Sequence, residues 1–257
     1  MQKPDVLSKV IEGIYMNTGV KICGLMKTTL LDFPGHVACT VFLGGCNFRC
    51  PFCHNAELLP MDIPAEYTEQ EIFDFLKKRG ATLEGVAITG GEPTLQKKLP
   101  EFIRKIREDY GLKIKLDTNG IDPAMVRKLI DEKQLDYVSM DIKAAPENYA
   151  AVCGVKESAL HFDRITETKD LLLEGKVPCE FRTTCVGGIH TEADFEAIGA
   201  FIEGAERYFI QAYKNSDRVL NPLAGFTEPK VETLKKYRDI VAPHVKHVEI
   251  RGVDIEL

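Results

Sequence analysis

Nothing in this chain reads as a membrane anchor. No stretch is apolar enough to cross a bilayer, and the N-terminus lacks the apolar core of a secretory signal. No membrane partner is expected. A basic surplus is missing too: Lys and Arg number 33 against 39 Asp and Glu, a formal net charge of −6. That balance argues against a general nucleic-acid binder, which needs an electropositive face. No tandem repeat, linker or low-complexity tract divides the 257 residues. One core domain over 20–257 is expected, with 1–19 as an N-terminal extension. Such a chain buries about three quarters of the surface its unfolded form exposes and needs no cross-links. Cysteine is not scarce. Eight of them with no secretory signal point to a reducing cytoplasm rather than to disulfides.

Three of the eight lie in one stretch, Cys46-Asn47-Phe48-Arg49-Cys50-Pro51-Phe52-Cys53, spaced C-x3-C-x2-C. A strand-like run from Val37 to Leu43 leads into Gly44-Gly45, which places this loop just past a strand end. A [4Fe-4S] cube held only by protein needs four thiolates, so three leave one iron open to bind and activate something else. A Cys3His zinc site would have to recruit His54, which is adjacent to Cys53 and poorly placed to close the same tetrahedron. Cys23, Cys39, Cys153, Cys179 and Cys185 show no ligand spacing, and cysteine is often buried as a small apolar residue.

Along the chain, Val6, Val10, Ile11 and Ile14 give Pro4 to Tyr15 a short amphipathic helical pattern. Gly24 to Gly35 reads as a loop leading into the first strand. Strands are predicted at 37–44, 85–90, 112–118, 136–142, 179–186, 207–213 and 246–251, with helices between them. Thr68 with Glu71 makes a capping box, Thr191 with Asp194 resembles one, and Pro123 follows Asp122 at a first helical turn. Alternating β and α units imply an α/β fold with a parallel sheet, and six main repeats suit an incomplete barrel. In such barrels functional groups gather where the strands end. After the cysteine loop those ends carry Gly90-Gly91-Glu92-Pro93-Thr94, Asp117-Thr118-Asn119-Gly120, Asp141-Ile142-Lys143, and Arg182 with Thr184. Each alone reads as a turn or a surface ion pair. Their regular recurrence at one rim favours a site.

The cysteine spacing, with Phe52 just before the last cysteine, resembles the signature of the radical S-adenosylmethionine (SAM) superfamily. Asp32 to Gly35, Phe42 to Asn55, Gly90 to Thr94, Leu116 to Gly120, Met140 to Lys143, Phe181 to Thr184 and Arg251-Gly252 together resemble the activating enzymes of glycyl radical proteins. The long form serving anaerobic ribonucleoside-triphosphate reductase is the nearest likeness, over about residues 20 to 257. The resemblance implies a partial (β/α)6 TIM-like barrel. It implies that Cys46, Cys50 and Cys53 ligate three irons of a [4Fe-4S] cluster and that SAM chelates the fourth. Phe52 would lie near the adenine, and Gly90, Gly91, Glu92 and Pro93 would line the methionyl amino group. Asn119 and Thr184 would join the SAM pocket. Asp117, Thr118 and Asp141 fall where relatives hold a monovalent cation, and Lys143 and Arg182 fall near the SAM carboxylate and ribose. The implied reaction is reductive cleavage of SAM to a 5′-deoxyadenosyl radical, which takes hydrogen from a glycine of a partner glycyl radical enzyme. Flavodoxin or ferredoxin would supply the electron. Two departures stand out: Asp32-Phe33-Pro34-Gly35 replaces the common Asp-Gly-Pro-Gly, and Lys214 stands where some relatives carry histidine. Two other readings compete: a radical enzyme acting on a small molecule, like 7-carboxy-7-deazaguanine synthase, and a non-catalytic iron–sulfur or zinc interaction module.

Overall fold

The structure, a computed structural model, describes residues 19–216, 219–222 and 224–253. The amphipathic segment read at Pro4 to Tyr15 lies outside the described residues, as does nearly all of the expected extension. Among the described residues eight strands form one sheet in chain order: β1 (Ile22–Thr29), β2 (Ala38–Leu43), β3 (Gly85–Gly90), β4 (Lys113–Thr118), β5 (Tyr137–Asp141), β6 (Cys179–Cys185), β7 (Arg207–Ala212) and β8 (His247–Arg251). From β2 to β8 every neighbouring pair is parallel. Six helices make the crossovers: α1 (Glu69–Arg79), α2 (Leu99–Tyr110), α3 (Pro123–Asp131), α4 (Phe162–Leu173), α5 (Glu192–Phe201) and α6 (Val231–Val241). The first and last of these strands do not pair with each other. The result is an α/β partial barrel, open on one side.

All seven predicted strands form. β1 was not foreseen: it pairs antiparallel with β2 through the segment read as a loop. Its burial explains why. Only its ends are covered, and Met26, Lys27 and Thr28 towards its C-terminal half are exposed, so no apolar alternation marks it. The helix starts behave as their residues dictate. Thr68 accepts from the Glu71 amide at 3.2 Å while Glu71 takes the Thr68 amide at 2.8 Å. Thr191 and Asp194 repeat that exchange, and Asp122 caps the Met125 amide at 3.0 Å.

Successive strand residues face opposite sides. Val41, Ile88, Leu116, Met140 and Phe181 belong to the main apolar core, together with Phe102, Val126 and Ile165 of the crossover helices. The other face is polar. There Glu180, 1% exposed, accepts from Ser139 at 2.8 Å, Tyr137 at 3.0 Å and Arg251 at 3.1 and 3.2 Å. The turn between β1 and β2 folds under the N-terminal strand ends. Phe33 is buried there with Ala38 and Tyr137, and Asp32 accepts from Thr40. A Cβ at Gly85 would stand 2.7 Å from the Phe33 ring. The phenylalanine that departs from Asp-Gly-Pro-Gly is therefore a plug at the floor of the half-barrel.

Candidate active site

The cysteine loop leaves β2 at its C-terminal end and is held by backbone bonds from remote segments. The Gly44 amide donates to Lys21 at 3.0 Å, Gly45 to Leu58 at 2.7 Å and Cys46 to Leu59 at 3.1 Å. The Arg49 guanidinium donates to the Cys46 and Phe48 carbonyls, both at 2.7 Å, so it wraps the loop's own backbone. On the far side the Leu220 and Asn221 amides reach the Cys53 and Pro51 carbonyls at 3.0 and 2.9 Å. His54 donates to the Lys214 carbonyl at 2.6 Å, while the Lys214 side chain pairs with Glu228.

Cys46, Cys50 and Cys53 line one cavity of about 380 Å³. Among the described residues no three His, Cys, Asp or Glu side chains converge as a single metal ion would need. Thiols spaced around a cavity suit a cube, in which each thiolate takes its own iron corner. Glycine makes the room. A Cβ at Gly91 would meet the Gly45 carbonyl oxygen at 2.1 Å, and one at Gly90 would meet the Leu43 carbonyl oxygen at 2.2 Å. Burial pushes the Cys46 thiol up to about 12 and raises Cys53 as well, so bound iron would displace protons there. Cys50 is lowered, chiefly by a hydrogen-bonding contact with Cys153.

The second strand end is stitched to its neighbours rather than left open. The Gly91 and Glu92 amides donate to the Leu43 and Gly45 carbonyls, both at 2.8 Å. The Glu92 carboxylate, 1% exposed, accepts from Thr94, from the Thr118 hydroxyl at 2.7 Å and from the Asn119 amide at 2.6 Å. Burial raises its pKa against those bonds. Asn119 in turn donates to Asn47 of the cysteine loop at 2.9 Å. Pro93 opens a 3-10 turn behind the cavity wall and does not line it.

Charge collects at the next three strand ends. Arg182 bridges Asp141 and Asp117, at 2.5 and 3.1 Å. Lys143 holds the other Asp141 oxygen at 2.9 Å, and buried Lys115 pairs with Asp117. Burial opposes ionisation of both acids, but Arg182 and the lysines hold Asp141 and Asp117 below the usual carboxylate range. Asp117 pairs with Lys115 and Arg182, Asp141 with Arg182 and Lys143, and the Thr118 hydroxyl donates to Glu92. Of the charged side chains that line the cavity, the cations Lys143 and Arg182 are matched by Asp117 and Asp141, with Asp32 and Glu92 also on its walls and Lys115 buried behind Asp117.

Every sequence candidate except Pro93 lines this one cavity, Phe52, Gly90, Gly91 and Thr184 included. The sequence reading missed Thr40, Phe42, Thr89 and Gln211, which also line it. They sit on the inward face of β2, β3 and β7, and only the pairing register between strands brings them level with Asp117 and Arg182, which counting along one strand could not show. It missed His190 as well, buried among Phe52 and Phe195.

Residues 40–202 match the radical SAM superfamily. The chain belongs to that superfamily. A protein of Methanocaldococcus jannaschii, provisionally named glycyl-radical enzyme activating enzyme MJ1227, is 30% identical over 237 residues, covering 91% of this chain and 96% of the relative. The pyruvate formate-lyase-activating enzyme of Clostridium pasteurianum is 30% identical over 142 residues, 52% of this chain and 57% of its own. Among solved structures, a radical SAM methyltransferase from Sphaerobacter thermophilus superposes with a TM-score of 0.66 at 16% identity, over 87% of this chain and 69% of its own. That likeness speaks for the fold alone. The chain is thus a radical SAM enzyme of the glycyl-radical enzyme activating type, and its superfamily works with a [4Fe-4S] cluster and SAM.

Proposed function

We propose that this radical SAM enzyme installs a radical on a glycine of a partner glycyl radical enzyme. Anaerobic ribonucleoside-triphosphate reductase is the candidate partner, flavodoxin or ferredoxin the electron donor, and the cytoplasm the setting. One observation carries the reading: three thiols of one loop share a cavity with an ion-paired wall built from three other strand ends. When bound there, cluster and SAM supply one-electron cleavage of the S–C5′ bond.

The chain's own residues do the rest. Cys46, Cys50 and Cys53 would hold the cluster by three of its irons, leaving one free for SAM. The Gly91 and Glu92 amides are engaged, and the Gly90, Glu92 and Pro93 carbonyls already accept from Asn55, Leu95 and Gln96, so the Gly91 carbonyl is the backbone acceptor that best suits an ammonium donor. Arg182 and Lys143 are the cations on the cavity wall and offer charged donors to a carboxylate. Glu92 acts at one remove, fixing Thr118 and Asn119. Phe42, Phe48, Phe52 and Leu59 give the cavity apolar walls that limit water near a reactive radical. Holding cluster and SAM in one cavity makes electron transfer between them effectively intramolecular.

The test is anaerobic reconstitution with iron and sulfide, then dithionite and SAM, with 5′-deoxyadenosine measured. Cys50→Ala should lose both the iron and the product; retention of both would sink the proposal. Adding the candidate reductase should produce a glycyl signal by electron paramagnetic resonance. SAM cleavage without that signal would turn the reading toward a small-molecule substrate. Absence of SAM binding by calorimetry would turn it toward an interaction module.

A further inference from the structure

Most polar side chains on the cavity wall are engaged by the protein itself. Asp141 is shared by Lys143 and Arg182, and Glu92 collects Thr118 and the Asn119 amide. Gln211 is different. It lines the cavity and is exposed, yet its side-chain amide makes no hydrogen bond among the described residues. It faces inward from β7, in register with Thr184 of β6. Among the described residues no β8 side chain lines the cavity, whereas on the β1 side Met26, 45% exposed, does. Met26 and Gln211 therefore stand at its two ends along the sheet, on either side of the opening between β1 and β8. Below Gln211 the inner face of β7 is closed. Arg251 lies 3.3 Å from the centre of the Phe209 ring and gives its two terminal nitrogens to Glu180. Past Gln211 the chain is fastened to the cysteine loop, where His54 donates to the Lys214 carbonyl at 2.6 Å and its ring lies 5.5 Å from that of Tyr213. An unengaged amide is thus held at a fixed place relative to Cys53.

We propose that Gln211 recognises the backbone of the protein segment that delivers the reacting glycine, its amide exchanging hydrogen bonds with a peptide unit beside that glycine. The inference rests on a protein glycine being the substrate. Glycine has no side chain to grip, so it can be held only through its peptide groups and the residues that flank it. A primary amide offers a donor and an acceptor side by side, which is the complement of one backbone N–H and C=O. It is also neutral, and a peptide unit brings no charge to be matched. The cations of the wall, Lys143 and Arg182, suit a carboxylate instead. A segment entering through the opening passes between Met26 and Gln211 on its way to the thiols. Two hydrogen bonds at that point fix the rotation of the chain, and with it which of the two glycine hydrogens faces the cavity.

The experiment compares reconstituted full-length wild type, Gln211→Ala and Gln211→Met with dithionite, SAM and the candidate reductase. Glycyl radical formation is followed by electron paramagnetic resonance at varied reductase and at varied SAM, with rates taken per bound iron. Gln211→Ala should raise the reductase concentration needed for half-maximal rate by about tenfold, the worth of two modest hydrogen bonds. The KM for SAM should rise far less. Gln211→Met, which keeps the length of the side chain but not its donor and acceptor, should behave like the alanine variant. An unchanged reductase requirement in Gln211→Ala overturns the proposal. So does an equal rise for SAM, which would make Gln211 a SAM contact. Wild-type behaviour of Gln211→Met would also overturn it, since bulk and not hydrogen bonding would then be what the site needs. A wild type that cleaves SAM but yields no glycyl radical overturns the protein-substrate reading and this inference with it, and does so before any variant is compared.

Discussion

His190 shows how much a single buried side chain can hold together. Its Nδ1 accepts from the Val186 amide at 3.0 Å, so the proton must sit on Nε2, which donates to the Lys143 carbonyl at 2.9 Å. The ring also packs on Phe52 of the cysteine loop, 6.3 Å between centroids. Burial lowers its pKa, and the neutral form is the one that fits both bonds. The unfolded chain binds a proton at this residue near pH 6.5 and the folded one resists it, so its contribution is complete above that pH and is lost as pH falls toward the folded value. His190→Ala should cost about 2–3 kcal/mol by stranding a buried amide and a carbonyl, and it should flatten the loss of stability between about pH 7 and 5.5. Urea melts at the two pH values read both effects; an equal slope in wild type and variant would refute the assignment. Nothing in the sequence singles this histidine out, because its partners Val186 and Lys143 converge on it only after β5 and β6 are paired. That Cys46, Cys50 and Cys53 share one cavity was legible for the opposite reason: they lie within one loop.

The strand ends follow the same division. Apolar runs of strand length bounded by glycine or charge announced β2 through β8, and paired capping residues announced α1 and α5. β1 was hidden because an edge hairpin needs only its ends covered. The functional part of β3 begins where it stops being regular. Gly90 has φ +126° and presses on Leu43, and Gly91 presses on Gly45, so the second strand end and the cysteine loop can approach only through missing side chains. Gly91→Ala should displace the cysteine loop and sharply reduce the iron taken up on reconstitution, while far-ultraviolet circular dichroism stays near wild type. Gly111 is the control: it ends α2 at φ +66°, and a Cβ there would meet nothing within 4 Å. Gly111→Ala should cost about 1 kcal/mol of stability through its backbone conformation alone and leave iron uptake intact. Equal iron content in both variants would show that the contact between β3 and the loop does not shape the site.

Across the whole molecule, the open barrel places its charges on the inner face and balances them between strands. Asp117 of β4, Asp141 of β5 and Arg182 of β6 are coupled, with Lys115 and Lys143 at either end. The sequence displayed Asp117, Asp141, Lys143 and Arg182 as separate strand-end motifs and gave no sign of Lys115. It could not show that Asp117 and Asp141 answer cations of the protein itself, because that depends on the register that sets Asp141 beside Arg182. The network has a definite pH signature. Burial works against ionising Asp141, yet Arg182 and Lys143 hold its carboxyl below the usual range, so the stabilisation is present above the unfolded carboxylate value near 4 and is lost as pH falls below it. Asp141→Asn should remove that acid-side loss and, at neutral pH, cost about 1–3 kcal/mol by leaving half-buried cations without their partner. Because the charges are largely shielded from solvent, added salt should change the difference between wild type and variant very little. Denaturant melts from about pH 3 to 7, at low and at high salt, decide the matter. A variant that matches wild type at neutral pH, or a difference that vanishes in salt, would mean that these strand ends behave as an ordinary solvated rim and not as a fixed charge network on the cavity wall.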